Sequence, residues 1–286
     1  MKLSSQTAII TGASQGLGKA IAKEFLSQGS NVVLCARDAG CLEETRAELA
    51  PLGGRVLARA CDVSSESQVA DLIEFSLNEL GRLDALVCNA GIYGPMGPTD
   101  EVDLQEWIRA IEINLFGTLI PCRAIIPHFK RIGRGKIVMV SGGGATNPLP
   151  NISSYAASKA ALVRLMETLA EELREHHIDV NAIAPGALKT RLIDQVLTAG
   201  PEKTSPAFYA MNKKWAEDGG TPLELGASLC AYLASAESDG ITGKLISAKW
   251  DPWARLHEYR KELAGSDIYC LRRIVPEDRG QNWSEA

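Results

Sequence analysis

The residues of this chain best placed to do chemistry are Tyr155 and Lys159, four apart in the run YAASK. On a helix, positions i and i+4 share a face, so the lysine's charge falls beside the phenol and favours its ionised form. A free phenol titrates near pH 10, and bringing it to about 7 takes roughly 4 kcal/mol of differential stabilisation. Such a pair exchanges a proton with an oxygen that gains or loses one as a reaction proceeds. A hydroxyl to steady that oxygen is expected near the end of the preceding apolar run, KIVMV. Ser141 stands there, followed at once by Gly142, Gly143 and Gly144.

A second cluster suits phosphate. The first apolar run ends in TGASQGLGKA. Gly12 permits a tight turn, and Gly16 and Gly18 remove side chains where a pyrophosphate would approach the backbone at a helix start. Ser14, Gln15 and Leu17 complete that loop. A glycine triplet alone is an ordinary turn signal, but between a strand and a helix at the first crossover it reads as a dinucleotide-binding loop. The end of the second run, NVVLCARDAG, bears on which dinucleotide. An acidic residue there would take both ribose hydroxyls of NAD. The chain instead has Ala36 and then Arg37, whose guanidinium suits a 2′-phosphate. Asp38 suits the cap of the next helix. NADP(H) is favoured over NAD(H).

These residues must be carried by a regular alternation of elements. Strands are expected at Thr7–Thr11, Asn31–Ala36, Arg55–Ala60, Asp84–Cys88, Lys136–Val140, Ile178–Ile183 and Lys244–Ser247. Helices are expected at Leu17–Gln28, Gly40–Ala50, Glu66–Leu80, Leu104–Arg131, Ser154–Glu175 and Pro222–Ala234. Gly29 and Gly81 mark helix ends. The stripe Leu162, Leu165, Met166, Leu169 and Leu173 predicts one buried face of the helix that carries Tyr155. Strand and helix repeating in turn imply an α/β fold, with parallel strands and crossover helices on both faces. No linker divides the pattern, so residues 1–249 read as one dinucleotide-binding domain. Within it, residues 191–220 form a mixed insertion of the kind that serves as a lid. Residues 250–286 form a C-terminal extension.

Composition sets the surroundings. The 286 residues are 45% apolar, enough for a sizeable core. The net charge of −5 argues against a nucleic-acid or anionic-membrane surface. No apolar run reaches the ~18 residues of a membrane span. Seven dispersed cysteines without metal-ligand spacing read as reduced, buried packing residues of a cytoplasmic protein, and no metal site is expected. His176 and His177 suit a helix C-terminus.

Taken in order, TGASQGLG, CDV at 61–63, NAG at 89–91, Asn114 in IEINLFGT, YAASK and PGALKT at 185–190 resemble the short-chain dehydrogenase/reductase family, in its compact single-domain branch, over roughly residues 5 to 248. The resemblance implies a Rossmann-type, doubly wound sheet of seven parallel strands. It also implies hydride exchange between a nicotinamide cofactor and a small-molecule carbonyl or secondary alcohol. By that likeness Tyr155 is the general acid/base, Lys159 lowers its pKa and binds the nicotinamide ribose, and Asn114 carries a proton relay. Asp62 and Val63 flank the adenine, and Asn89, Ala90 and Gly91 line the cleft. Thr190, after Pro185, Gly186 and Leu188, holds the carboxamide. A homodimer or homotetramer is implied as well. The family ends the strand before the tyrosine with two serines, the second being the donor to the substrate carbonyl. Here Ser141 takes the first of these positions and Gly142 the second. Ser141 is the candidate donor, with Ser153 and Ser154 as substitutes. The alternatives are a non-catalytic dinucleotide-binding protein and an NAD enzyme of the same fold.

Overall fold

In the computed structural model, which describes residues 1–283, seven parallel strands form one sheet in the order β3-β2-β1-β4-β5-β6-β7. They are β1 (Thr7–Thr11), β2 (Asn31–Ala36), β3 (Val56–Ala60), β4 (Ala85–Cys88), β5 (Gly135–Val140), β6 (Ile178–Ala184) and β7 (Leu245–Ser247). Alternate residues along a strand point to opposite faces, and here both faces are covered. Ile10 and Leu34 join Phe25 of α1 (Gly16–Ser27) and Leu229 of α9 (Leu223–Ala234) in one core. Ile9 and Val33 join the other core. That core holds Leu72 of α3 (Glu66–Leu80), Phe129 of α5 (Gly117–Ile132) and Met166 of α6 (Ser153–Leu173). Double burial is why the strands read as continuous apolar runs.

The helix ends follow local chemistry. Asp38 caps α2 (Ala39–Leu49) by accepting the Cys41 N–H at 3.0 Å, and this bond holds its carboxyl below the ordinary range. At the end of α3, Gly81 takes φ +73°, a left-handed conformation that glycine adopts without a Cβ clash. The strand order reverses between β1 and β4, and ligands of open α/β sheets bind in the crevice at that reversal.

Four expectations need correction. The helix expected as one piece over Leu104–Arg131 is three segments: α4 (Leu104–Ile111), a π-helical turn (Glu112–Phe116) and α5. By length and composition this stretch, residues 104–132, could cross a membrane, yet it packs against α3, β4 and β5. The insertion at 191–220 is mostly helical. It comprises α7 (Arg191–Thr204), kinked at Gly200 ahead of Pro201, and α8 (Pro206–Glu217). The cysteines are all free thiols, but Cys41 is exposed and Cys270 half-buried. The helix before His176 stops at Leu173 and gives way to a 3-10 turn, so His177 sits at φ +54° beyond it.

The extension packs onto the β7 edge. Leu245 N–H donates to the Tyr269 carbonyl at 2.8 Å, and buried Lys244 donates to the Ser266 carbonyl at 2.9 Å. Leu271 is tied to α6 from both sides, by its N–H to Glu167 and by its carbonyl to Arg164. The extension contains a short helix, α10 (Arg260–Ala264), and its last three residues lie outside the described residues.

Candidate active site

A cleft of about 1480 Å³ runs over the carboxyl ends of the strands. Of the residues marked in the sequence for the cofactor, all but Gly18 line it. Gly18 lies just behind the lining. A Cβ there would meet the Gly12 carbonyl oxygen at 2.2 Å and Asn89 Nδ2 at 2.6 Å, so only glycine lets α1 start this close to β1. Asn89 closes the turn from the other side, donating through Nδ2 to the carbonyls of Thr11 and Gly12. No side chain caps the start of α1 and no acidic residue occupies its first turn. Its free N–H groups and the positive end of its dipole suit an anion. These residues therefore fit the pyrophosphate of a dinucleotide.

Further along, Arg37 is exposed on the cleft wall. Asp62 accepts hydrogen bonds from Ser64 and an ion pair from Arg109 of α4 at 2.8 Å. Burial pushes the Asp62 carboxyl up, but the bonds from Ser64 and Arg109 outweigh it and leave the group below its usual range.

Tyr155 and Lys159 share one face of α6, with the ammonium 5.7 Å from the centre of the phenol ring. Lys159 is buried and donates to the Val140 carbonyl at 2.7 Å. Burial draws its pKa down to about 8 and pushes the Tyr155 phenol upward, with Tyr93 adding to that rise. The expected lowering of the phenol by Lys159 is thus opposed here by desolvation.

Asn114 sits in the π turn and is fully buried. Its side chain accepts the Ile92 N–H at 2.8 Å and donates to the Ile92 carbonyl at 2.9 Å. It also donates to Ser158 Oγ, which in turn donates to the Tyr155 carbonyl. The π turn is thereby tied both to the loop after β4 and to the first turns of α6.

The serines are not equivalent. Ser141 Oγ is buried and has no hydrogen-bond partner among the described residues. Ser153 accepts from the Trp107 indole N–H at 3.0 Å, and Ser154 donates to the Tyr93 carbonyl at 3.2 Å. Ser154 thus spends its proton within the protein, and Ser153, whose own proton is uncommitted, does not line the cleft. Gly142 lines the cleft beneath the Tyr155 hydroxyl.

Sequence reasoning missed the far wall. Tyr93, two residues past NAG, meets the Tyr155 ring edge-on at 4.8 Å. Phe208, Met211, Asn212 and Trp215 of α8 all line the cleft. Their i, i+3, i+4, i+7 spacing was a readable signal for one helix face. Among the described residues, no group of three or more His, Cys, Asp or Glu is arranged to hold a metal ion.

Fold and cleft together define an α/β oxidoreductase architecture built around a dinucleotide. The sequence model of a family described as short chain dehydrogenase matches residues 6–199. The chain is 33% identical over 247 residues to the 7alpha-hydroxysteroid dehydrogenase of Escherichia coli (strain K12), covering 86% of this chain and 94% of that one. It is 36% identical over 252 residues to the 3beta-hydroxysteroid dehydrogenase 1 of Eggerthella lenta, covering 85% and 92%. A solved 7 alpha-hydroxysteroid dehydrogenase complexed with NADH and 7-oxo glycochenodeoxycholic acid superposes with a TM-score of 0.77. It is 31% identical, over 86% of this chain and 93% of that one. The chain belongs to the short-chain dehydrogenase/reductase family, whose members are oxidoreductases of alcohols and carbonyls that bind a nicotinamide dinucleotide.

Proposed function

We propose that this chain is an oxidoreductase that interconverts a carbonyl and a secondary alcohol and prefers NADP(H) to NAD(H). One observation carries the reading: Tyr155 and Lys159 stand together on α6, in a cleft that also contains the glycine-lined start of α1. Gly12, Ser14, Gln15, Gly16, Leu17 and Gly18 would hold the pyrophosphate. Asp62 and Val63 would hold the adenine, and Asn89, Ala90 and Gly91 the middle of the cofactor. Pro185, Gly186, Leu188 and Thr190 would hold the nicotinamide end. When bound, the nicotinamide supplies or takes up the hydride. Tyr155 gives its proton to the substrate oxygen in reduction and recovers it in oxidation. The Lys159 ammonium counters the rise that burial imposes on that phenol. Asn114 holds the π turn from which a proton relay runs to solvent. Ser141 remains the sequence-derived candidate for the donor to the substrate oxygen.

The NADP preference rests on Arg37, exposed on the cleft wall, while its neighbour Asp38 on the same wall is engaged in capping α2 through the Cys41 N–H. The NADH in the solved hydroxysteroid relative makes NAD the cofactor to beat. A cytoplasmic location is proposed from the seven free thiols. Self-association, as a dimer or tetramer, is proposed through α4, the π turn and α5, where Leu104, Ile108, Phe116 and Ile132 are exposed.

The test is a turnover screen with NADPH and NADH against pooled alcohols and ketones, with Tyr155→Phe alongside. Steroid ketones belong in the panel, because two relatives act on hydroxysteroids and α8 lines the cleft with Phe208, Met211 and Trp215. Turnover that survives Tyr155→Phe would refute the proton role. The bare Gly142 favours a second reading, a dinucleotide-binding protein without catalysis, which tight NADPH binding with no turnover would select.

A further inference from the structure

We infer that Tyr93 is the hydrogen-bond donor to the reacting oxygen of the substrate, in the place that Gly142 leaves without a hydroxyl. The inference rests on the oxidoreductase reading above.

The other hydroxyls near Tyr155 are accounted for. Ser154 and Ser158 donate to the Tyr93 and Tyr155 carbonyls, and Ser153, which accepts from the Trp107 indole N–H, does not line the cleft. Ser141 lines the cleft, but its Oγ is buried. Tyr93 combines a place in the lining with a hydroxyl that is not buried. That hydroxyl has no hydrogen-bond partner among the described residues.

Tyr93 is also held with unusual care for a loop residue. Asn114 clamps both backbone groups of Ile92, and Ser154 takes the Tyr93 carbonyl. Gly94 follows at φ +76°, packed so closely that a Cβ would lie 2.6 Å from the Ala110 Cβ. The ring itself lies between two aromatic neighbours, Tyr155 at 4.8 Å and Phe208 at 6.4 Å, both edge-on. Packing and backbone bonds of this kind preorganise a donor, which then costs no reorganisation when charge develops.

The two phenols divide the work. In reduction the substrate oxygen becomes negative. The Tyr155 O–H bond breaks, its proton forms the new O–H bond of the alcohol, and the charge passes to the Tyr155 phenolate beside Lys159. Tyr93 keeps its own proton throughout and only donates a hydrogen bond. Burial pushes its pKa up to about 12, which suits a donor that must stay neutral.

Tyr93→Phe preserves the ring contacts and removes only the hydroxyl. On a substrate found in the screen, it is expected to lower kcat/KM about 100-fold, chiefly through kcat. The NADPH dissociation constant, read by direct titration, should stay within about 2-fold, and the pH profile should keep its midpoint. If Tyr93→Phe is within about 3-fold of wild type, or its loss appears only as weaker NADPH binding, the inference is overturned. A wild-type chain that turns over nothing in the panel would bring down the oxidoreductase reading and this inference together. That outcome is distinct from an active wild type matched by Tyr93→Phe.

Discussion

The hydroxyl of Tyr155 stands where a side chain at Gly142 would begin: a Cβ on that glycine would lie 2.6 Å from the phenol oxygen. The backbone there is extended, with φ 178°, so the glycine is required by the closeness of the phenol and not by its torsions. Gly142→Ala is therefore expected to push the hydroxyl aside. A displacement near 1 Å from the reacting geometry costs about 100-fold in rate. Steady-state kinetics should show that loss in kcat with cofactor affinity unchanged. Higher turnover in Gly142→Ser would instead mean the site had merely lost a donor that it can take back.

Removing the phenol hydroxyl separates chemistry from folding. Tyr155→Phe keeps the ring that packs on Tyr93. It should melt within a degree or two of wild type while kcat falls by about 10³-fold. A melting point lowered in proportion to the lost rate would assign Tyr155 a packing role.

Lys159 should trade stability for function. Its pKa is about 8 in the folded chain, against 10.5 when unperturbed, because burial disfavours the ammonium. The unfolded chain thus binds this proton more tightly. The penalty is complete below about pH 8 and is relieved as pH rises from there towards 10.5. Lys159→Met should accordingly be more stable at pH 7 by on the order of 3 kcal/mol, with the gap closing above pH 8. Denaturant melts of both proteins across that range check the sign. Reductive kcat/KM of the wild type should fall as pH rises through about 8, where the ammonium is lost.

Arg37 should discriminate between cofactors. A charged hydrogen bond to a 2′-phosphate contributes about 1.5–3 kcal/mol, so Arg37→Ala should weaken NADPH roughly 10- to 100-fold and leave NADH unchanged. Fluorescence titration with each cofactor reads this directly. Equal losses for both would remove the basis for an NADP preference.

Much of this architecture is visible in the chain itself, for reasons that differ between elements. Strand limits agree to within a residue because runs such as KIVMV are buried on both faces, leaving no polar alternation to blur them. Helix α3 agrees at both ends, since Ser65 caps one and Gly81 turns the other. The break at Glu112–Phe116 could not be read from periodicity. Its anchor is Asn114 bonding to Ile92, 22 residues away. Residue types at the site were equally legible, whereas their environments were not. Nothing in VSGGG announces that Ser141 Oγ is sealed in, or that the glycine beside it lies under a phenol. Tyr93 went unseen because a lone aromatic in a loop has no period to betray it. Clamps from Asn114 and Ser154 give it a fixed position, and both come from distant sequence.

The Leu245–Tyr269 bond has a consequence for how copies of this chain can meet. A strand at the margin of a sheet is an open zipper for another molecule's backbone. On this margin the chain's own final segment has already engaged the teeth, with Lys244 and Cys270 fastening it alongside. Strand-to-strand splicing at β7 is thereby forestalled.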